Sequence, residues 1–543
     1  MNRYLFGENQ GEATDTTNAA GGVAYKLEDK HALAQYANTG CFNKTFYTLA
    51  EVQLTELLAI LRKVEDLEFI AKCAIYSRQS GFMKDSPAFL AAYLSTQGDK
   101  GNDLLESIFP KVINDSKMLR NFCQIIRSGV LGRSSFGSRL KRLVANWIIN
   151  RKPESLFRDN VGQKPSVGDV INMVHPRPMN REQGHLFGYI LGQKPVSVKQ
   201  YSQLTEKEQK NFCVIEMLPE LVRQFEAYKI DKVEKLPDVP FQMLTSLDLT
   251  TIEWMQIARN TTWKTLRMNL NTFARHDVFK TYPSMINFVA DKIRNKELIA
   301  QAKVFPYQIL AAFMNCSSDV PQKITNALQD AMDLAVVNVP ALEGNIFIFP
   351  DVSWSMQDPI TGYRKGSSSK MKCIDVAALI SSCVLKRNPD NTTVIPVDTS
   401  VHLNQKLNPR DSIMTNTMRL AAFKGGGTAL GAALEWLNTT KNKVDSVIFV
   451  SDNESWADTN RYYYKTNVAT QIESEWKKIK SRNKNAKLVC IDLSPKDNAQ
   501  IKEKPGVLNI GGFSDNIFKI IGDFFEEKMS REYFVKTIEN VEI

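Results

Sequence analysis

Asn345-Ile-Phe-Ile-Phe-Pro350-Asp351-Val-Ser353-Trp-Ser355 decides the architecture of the carboxyl-terminal part of this chain. The apolar run 345–350 reads as a buried β-strand. Asp351, Ser353 and Ser355 follow at alternate positions, which gathers one carboxylate and two hydroxyls just past the strand. An oxygen-only donor set suits a hard divalent cation such as Mg²⁺. Two later segments fit the same chemistry. Gly425-Gly-Gly-Thr428 lets the backbone turn sharply before Thr428 opens a helix. Val447-Ile-Phe-Val-Ser-Asp452 is a second apolar strand with an acid at its carboxyl end.

Working outward, apolar strands alternate with amphipathic helices from about residue 343. After 345–350 come Ile374–Leu385, Thr392–Asp398, Ala429–Leu437, 446–452, Ile472–Ile479, Lys487–Leu493 and a helix beginning near Phe513. Such alternation predicts an α/β domain, a mostly parallel sheet covered on both faces. Ligands of these sheets sit at the carboxyl ends of the strands, where Asp351 and Asp452 both fall.

Asp-x-Ser-x-Ser, then Thr428, then a strand-terminal Asp452 resembles the metal-ion-dependent adhesion site of von Willebrand factor A domains, whose fold is Rossmann-like. The resemblance implies that Ser353, Ser355 and Thr428 bind the cation directly or nearly so. Asp351 and Asp452 supply charge largely through bound water, and one position is left for a partner's acidic oxygen. Glu454 adds a nearby carboxylate with no assigned role. Singly, Ser353 or Ser355 reads as a helix N-cap and Asp452 as a turn residue. Together and in this order they read as one site.

Catalysis reads less well. A nucleophilic Asp351 for phosphoryl transfer would want a second acid where Ser353 stands, and a serine nucleophile needs a base. The nearest histidine in sequence is His402, which nothing marks as one. No P-loop, GxGxxG or HExxH occurs. The chain therefore reads as a binding protein and not an enzyme.

Residues 25–340 carry a helical pattern. Apolar residues recur at three- and four-residue steps in Leu49–Arg62, Leu67–Tyr76, Ser86–Leu94 and Met118–Ile126. Gly81, Asp85-Ser-Pro87 and Gly98-Asp-Lys-Gly101 separate them. Short helices joined by short loops suggest stacked helical hairpins, with a non-repeating bundle as the alternative. Residues 1–24 read as an irregular polar arm, 341–530 as the α/β domain and 531–543 as a tail.

Composition narrows the class. The 543 residues are 43% hydrophobic and 24% charged, with a net charge of +10. That is a folded, multidomain chain with a preference for acidic partners, nucleic acid first. Roughly two-thirds of the net charge falls before residue 340, as expected if that half meets phosphate. The eight cysteines, Cys41, Cys73, Cys123, Cys213, Cys316, Cys373, Cys383 and Cys490, form no C-x-x-C pair, so no zinc signature appears. Dispersed cysteines, no signal core and no long apolar run point to a cytoplasmic protein with no membrane contact.

Helical repeats followed by an A domain reading Asp-Val-Ser-x-Ser-Met and Ser-Asp-Asn-Glu resemble the Ro autoantigen family with its TROVE module, in a bacterial or phage-type form. Gly129–Arg133, Leu140–Trp147, Val174–Pro178, Arg267–Arg275 and Phe305–Leu310 fit the same family. Residues 133–139 are expanded against the pattern, and 195–240 carry none of it. The resemblance implies a HEAT-like helical ring closed by the A domain. Its basic cavity would take single-stranded 3′ ends of noncoding RNA, and its outer surface small Y-type RNAs. It also implies a role in RNA quality control as a ribonucleoprotein, with an exoribonuclease as a possible associate and a monomeric chain.

Two basic groups are the candidates for phosphate contact. One is Arg127, Arg133, Arg139, Lys141 and Arg142; the other is Lys264, Arg267 and Arg275, spaced with Asn271 as one helix face. His175 and Arg177 match the family's histidine-containing RNA segment. Trp263 reads either as a base-stacking platform or as core. The competing readings are solvated helix faces for the cations, a protein scaffold using the metal site to capture an acidic partner, and a hydrolase centred on Asp351.

Overall fold

The computed structural model describes residues 12–39, 50–161, 164–231, 236–244, 247–302, 304, 306–360, 371–457, 469–494, 497–513, 516–526 and 533–543. Cys41, Phe305, the first eleven residues of the arm and part of the Phe513 segment lie outside them. Among the described residues the strands in chain order are β1 (Thr16–Thr17), β2 (Val23–Lys26), β3 (Lys194–Val196), β4 (Phe212–Val214), β5 (Ile346–Pro350), β6 (Thr392–Val394), β7 (Ser446–Ser451), β8 (Lys487–Asp492), β9 (Asn498–Ala499) and β10 (Val507–Gly511).

Two compact units divide the chain. One comprises residues 1–86, 261–275 and 282–542; the other comprises 87–260, 276–281 and Ile543. The change from helices to alternating strands does fall near residue 340. Compactness follows other lines, and several helices on the amino-terminal side of that point belong with the sheet.

The first unit is built on a five-stranded sheet in the order β10-β8-β7-β5-β6, parallel throughout. β5 and β7 are buried along their whole length, as a sheet covered on both faces requires. Phe347, Phe349, Val447, Phe449 and Leu488 pack with Leu434, Ile472 and Trp476 from helices Gly431–Thr439 and Gln471–Arg482. Helix Cys373–Arg387 packs on β5, β6 and β7. β6 stops at Val394, two residues before Pro396, which has no N–H to give a ladder.

The structure corrects the reading of both chain ends. The arm is not irregular where it is described. β1 and β2 form an antiparallel pair, and β2 continues onto β9. The expected tail holds helix Tyr533–Glu539, whose Phe534 is 1% exposed against Tyr76 and His31. Short polar segments read as loops in sequence because their few apolar residues bury only against elements far along the chain.

In the second unit, helices pack on near neighbours in sequence, as stacked hairpins do. Ser138–Asn150 meets Val167–Val174, which also meets Ser116–Arg127 and Arg181–Ile190. Asp115 caps one of these helices by accepting from Met118 N, and Ser166 with Asp169 makes a capping box on another.

Candidate functional site

The three oxygen-bearing segments are joined by backbone hydrogen bonds. Asp351 N donates to Val450 O at 2.9 Å, which ties the end of β5 to β7. Trp354 N donates to Gly426 O at 3.0 Å, and Trp456 N to Thr428 O at 3.0 Å. Gly425 has φ +79°, and a Cβ there would lie 2.7 Å from Trp354 N. Only glycine allows that approach.

Asp351 is fully buried. Its Oδ1 accepts from Ser353 N at 2.8 Å, and its Oδ2 accepts from Ser451 Oγ at 2.6 Å. Ser353 stands at the N-cap position of a 3₁₀ turn, Trp354–Gln357, yet its hydroxyl makes no cap hydrogen bond. It lies 3.2 Å from Ser355 Oγ instead. That removes the N-cap reading of Ser353 and leaves two hydroxyls side by side. Thr428 and Asp452 are buried, at 1% and 4% exposure. Asp452 Oδ1 accepts from Glu454 N at 3.4 Å.

Burial pushes the Asp351 carboxyl above the usual carboxylate range. Hydrogen bonds from Ser353 and Ser451 oppose that, and the negative charge of Asp398 reinforces it. No basic side chain among the described residues forms an ion pair with Asp351. His402 Nε2 stands 2.9 Å from Asp398 Oδ1, so this histidine serves the neighbouring acid and not a serine. A buried carboxylate, two adjacent hydroxyls and further acids close by fit a hard divalent ion. No group of three His, Cys, Asp or Glu side chains converges as a metal cluster among the described residues. Any such ion would therefore depend on hydroxyls and water as well as carboxylates.

Several residues of this site escaped the sequence reading. Ser451 and Asp398 act through Asp351. Trp354 and Trp456 are 59% and 36% exposed. They are the two exposed tryptophans of the seven, and both sit on the loops of this site. The Trp456 ring covers Gly427, where a Cβ would meet it at 2.8 Å. The signal was present in Asp-x-Ser-x-Ser, where a large apolar residue occupies a position between two loop hydroxyls. The arm also reaches the site. Asn18 Nδ2 donates to Ser455 O at 2.7 Å, and Ala20 N donates to Glu454 Oε2 at 3.1 Å. Glu454 thus gains a role, as the acceptor that holds the arm.

The basic candidates separate by their partners. In the second unit Arg127, Lys141, Arg142, His175 and Arg177 are exposed. His175 is the left-handed C-cap of its helix, with φ 49°. Arg139 is held by Asp103 at 2.5 Å, Glu106 at 2.6 Å and Asp99 at 3.7 Å. Arg133 donates to the carbonyls of Ser95 at 2.8 Å and Ser135 at 3.3 Å. The donors of these two arginines are engaged by protein acceptors.

In the first unit the expected single face is broken. Lys264 and Arg267 lie on helix Trp263–Met268 and Arg275 on Leu270–Arg275, with Asn269 closing the first. Asn271 bonds Asn315 O and Ser317 N. Arg267 donates to Gln308 O, lies over the Trp263 ring, and is lowered to about 10 by burial. Lys264 and Arg275 are exposed. Trp263 is core, 4% exposed, with its Nε1 donating to Ile293 O. The three-residue period was right locally, but a helix end inside the stripe cannot be seen from spacing alone.

Residues 346–525 match the family model described as the Ro60 vWA domain. The curated RNA-binding protein RO60 of Deinococcus radiodurans is 21% identical over 479 residues, covering 81% of this chain and 83% of that protein. The crystal structure of the Deinococcus radiodurans RO (RSR) protein matches with a TM-score of 0.57 and 15% identity. That match covers 92% of this chain and 100% of the solved one. The α/β part is thus similar to the Ro60 vWA domain, the fold is similar to that of the solved RO protein, and both comparisons agree with the resemblance read from the motifs.

Proposed function

We propose that this chain is an RNA-binding protein of the Ro type, acting in the cytoplasm in RNA quality control as a monomeric ribonucleoprotein. The observation that carries the reading is the likeness, along 81% of the chain, to a protein named for RNA binding. The exposed side chains of Arg127, Lys141, Arg142 and Arg177 support it, as do Lys264 and Arg275. Each can neutralise a phosphate without reading a base. The ligands are single-stranded 3′ ends of noncoding RNA in a basic cavity, with Y-type RNAs on another surface. An exoribonuclease is the class of enzyme that would process what is held. The test is fluorescence anisotropy with an RNA carrying a free or a base-paired 3′ tail. Preference for the free tail, weakening steeply with salt, supports the reading. Equal affinity for both tails sinks the 3′-end assignment.

The A-domain site binds Mg²⁺ in this reading, through Ser353, Ser355 and Thr428, with Asp351 and Asp452 supplying charge. The ion would supply an open coordination position for an acidic oxygen. The site holds and does not turn over, because Ser353 Oγ meets another hydroxyl and not a base. A second reading, a scaffold that captures an acidic protein segment, draws on Trp354 and Trp456, since exposed tryptophan is enriched where proteins meet. Mg²⁺-dependent retention of a defined acidic peptide, lost in Trp354→Ala, would favour it over the RNA reading for this site.

A further inference from the structure

The arm and the whole A-domain site lie in the same compact unit. Between β1 and β2 the arm makes a closed turn. Asn18 N donates to Gly22 O at 2.8 Å, Gly21 N donates to Asn18 O at 3.0 Å, and Gly22 N donates to the side-chain Oδ1 of Asn18 at 2.7 Å. β2 anchors the turn from one end by pairing Tyr25 with Ala499 of β9. Asn18 is 5% exposed, so both atoms of its carboxamide need partners. Oδ1 has Gly22 N, which leaves Nδ2 to donate outside the turn. It donates to Ser455 O at 2.7 Å, 437 residues along the chain. Ala20 N adds a second contact, to Glu454 Oε2 at 3.1 Å.

The loop that the turn grips is the one that holds Thr428. Thr428 O accepts from Ala457 N at 2.9 Å, from Trp456 N at 3.0 Å and from Ser455 Oγ at 3.3 Å. Ser455 Oγ also accepts from Leu430 N at 3.0 Å. A hydroxyl donates one proton and accepts on its lone pairs, so Ser455 ties the loop to the backbone on both sides of Ala429. Three donors from residues 455–457 converge on one carbonyl, and Thr428 shifts only if that loop shifts. The same loop begins at Asp452, whose Oδ1 accepts from Glu454 N. A chain of hydrogen bonds therefore runs from the arm through Ser455 to Thr428.

We propose that Asn18 is a positioning residue for the A-domain site: it clamps the 454–457 loop and so fixes Thr428 before a cation arrives, although it is not among the residues that would touch the ion. The consequence for affinity rests on the reading that this site takes Mg²⁺; the clamp on the loop does not. With the clamp in place, Thr428 is already ordered when the ion enters. Without it, the loop is ordered only on binding, and the cost of that ordering appears as weaker apparent affinity.

The test uses the full chain and two readouts. Hydrogen exchange of the metal-free protein, read by mass spectrometry, follows the amides of Leu430, Trp456 and Ala457, which are the donors in question. Isothermal titration calorimetry with Mg²⁺ follows the site. Asn18→Ala loses the donor to Ser455 O and the acceptor for Gly22 N. Those amides should then exchange about tenfold faster, and Mg²⁺ should bind about fivefold more weakly. Asn18→Asp keeps an oxygen for Gly22 N and loses only the donor, so it should repeat both effects and carries the test if Asn18→Ala fails to fold. Asp15→Ala is the control. It breaks the arm's exposed bond from Lys26 N to Asp15 Oδ1, 2.7 Å, away from the loop, and should move neither readout. Unaltered exchange at all three amides in the Asn18 variants overturns the proposal. So does faster exchange with undiminished Mg²⁺ affinity, or an equal loss of affinity in Asp15→Ala, which would mark a general loosening of the arm. A wild type that takes up no Mg²⁺ sinks the metal reading instead, and the exchange rates still decide whether Asn18 holds the loop.

Discussion

Replacing Arg127, Lys141, Arg142 and Arg177 together by glutamine separates cations that face solvent from cations engaged by protein acceptors. All four residues are exposed, and none forms an ion pair with a carboxylate of the described residues. Each contact with a single-stranded phosphate contributes about 0.7 to the slope of log affinity against log salt. Four lost contacts flatten that slope by about 3. The affinity ratio between wild type and variant then comes to several hundredfold at about 0.1 M salt, under a hundredfold at about 0.2 M, and unity near 1 M. The control is Arg139→Gln. Its guanidinium is occupied by Asp103, Glu106 and Asp99, so its loss should leave the salt slope unchanged. Fluorescence anisotropy against a single-stranded RNA over a salt series reads both slopes. An Arg139 variant that flattens the slope as one exposed cation would, or a quadruple variant with wild-type slope, refutes the reasoning.

Four further outcomes follow from the geometry. Asp351→Asn should leave the metal-free melting temperature unchanged or higher, because a buried charge is removed. It should also abolish the Mg²⁺-dependent rise, which for a site at one hundred times its Kd is worth about 2.7 kcal/mol in wild type; differential scanning calorimetry with and without Mg²⁺ decides. Trp354 sits between the two hydroxyl donors, so Mg²⁺ should shift the emission of the wild type and shift it less in Trp354→Phe, where Trp456 is the remaining tryptophan of the site. A Cβ on Gly22 would lie 2.1 Å from Ser455 O; Gly22→Ala should lower stability by about 1–3 kcal/mol and expose the arm to limited proteolysis. The pKa of His31 is raised: burial alone would lower it, but Glu503 and the Asn509 carbonyl outweigh that. A raised folded-state value means stability that is full below the ordinary value of 6.5 and is lost as pH rises through the folded one. Chemical denaturation from pH 6 to pH 9 should show that loss, and Glu503→Gln should remove it.

The α/β half was legible because its signals are local. A strand buried on both faces is a continuous apolar run, and β5 and β7 lie where 345–350 and 446–452 predicted them. The donor set was legible for the same reason, each member standing at a strand end or a glycine turn. What sequence could not give were partners brought from a distance. Asp398 and Ser451 bear on Asp351 only through the sheet register. Arg139 looked like Arg142 until helix Gly98–Val112 supplied its carboxylates. Trp263 was undecided until Ile293 offered a carbonyl. The arm read as irregular because its strand β1 is only two polar residues long, Thr16–Thr17, too short to show an alternation.

Backbone contacts, not donor–metal bonds, give the A-domain site its shape. The links from Asp351 to Val450, Trp354 to Gly426 and Trp456 to Thr428 fix three loops before any ion is considered. Asn18 and Ala20 then hold the fourth side by bonding Ser455 and Glu454. These links use backbone groups and leave the donor side chains unspent, and they keep a fully buried Asp351 beside the charge of Asp398. Little ordering entropy remains to be lost on binding, while the electrostatic penalty waits for a cation to relieve it. Cation binding should therefore appear as affinity and added stability with little change in secondary structure, and the partner's acidic oxygen would meet coordination geometry already in place.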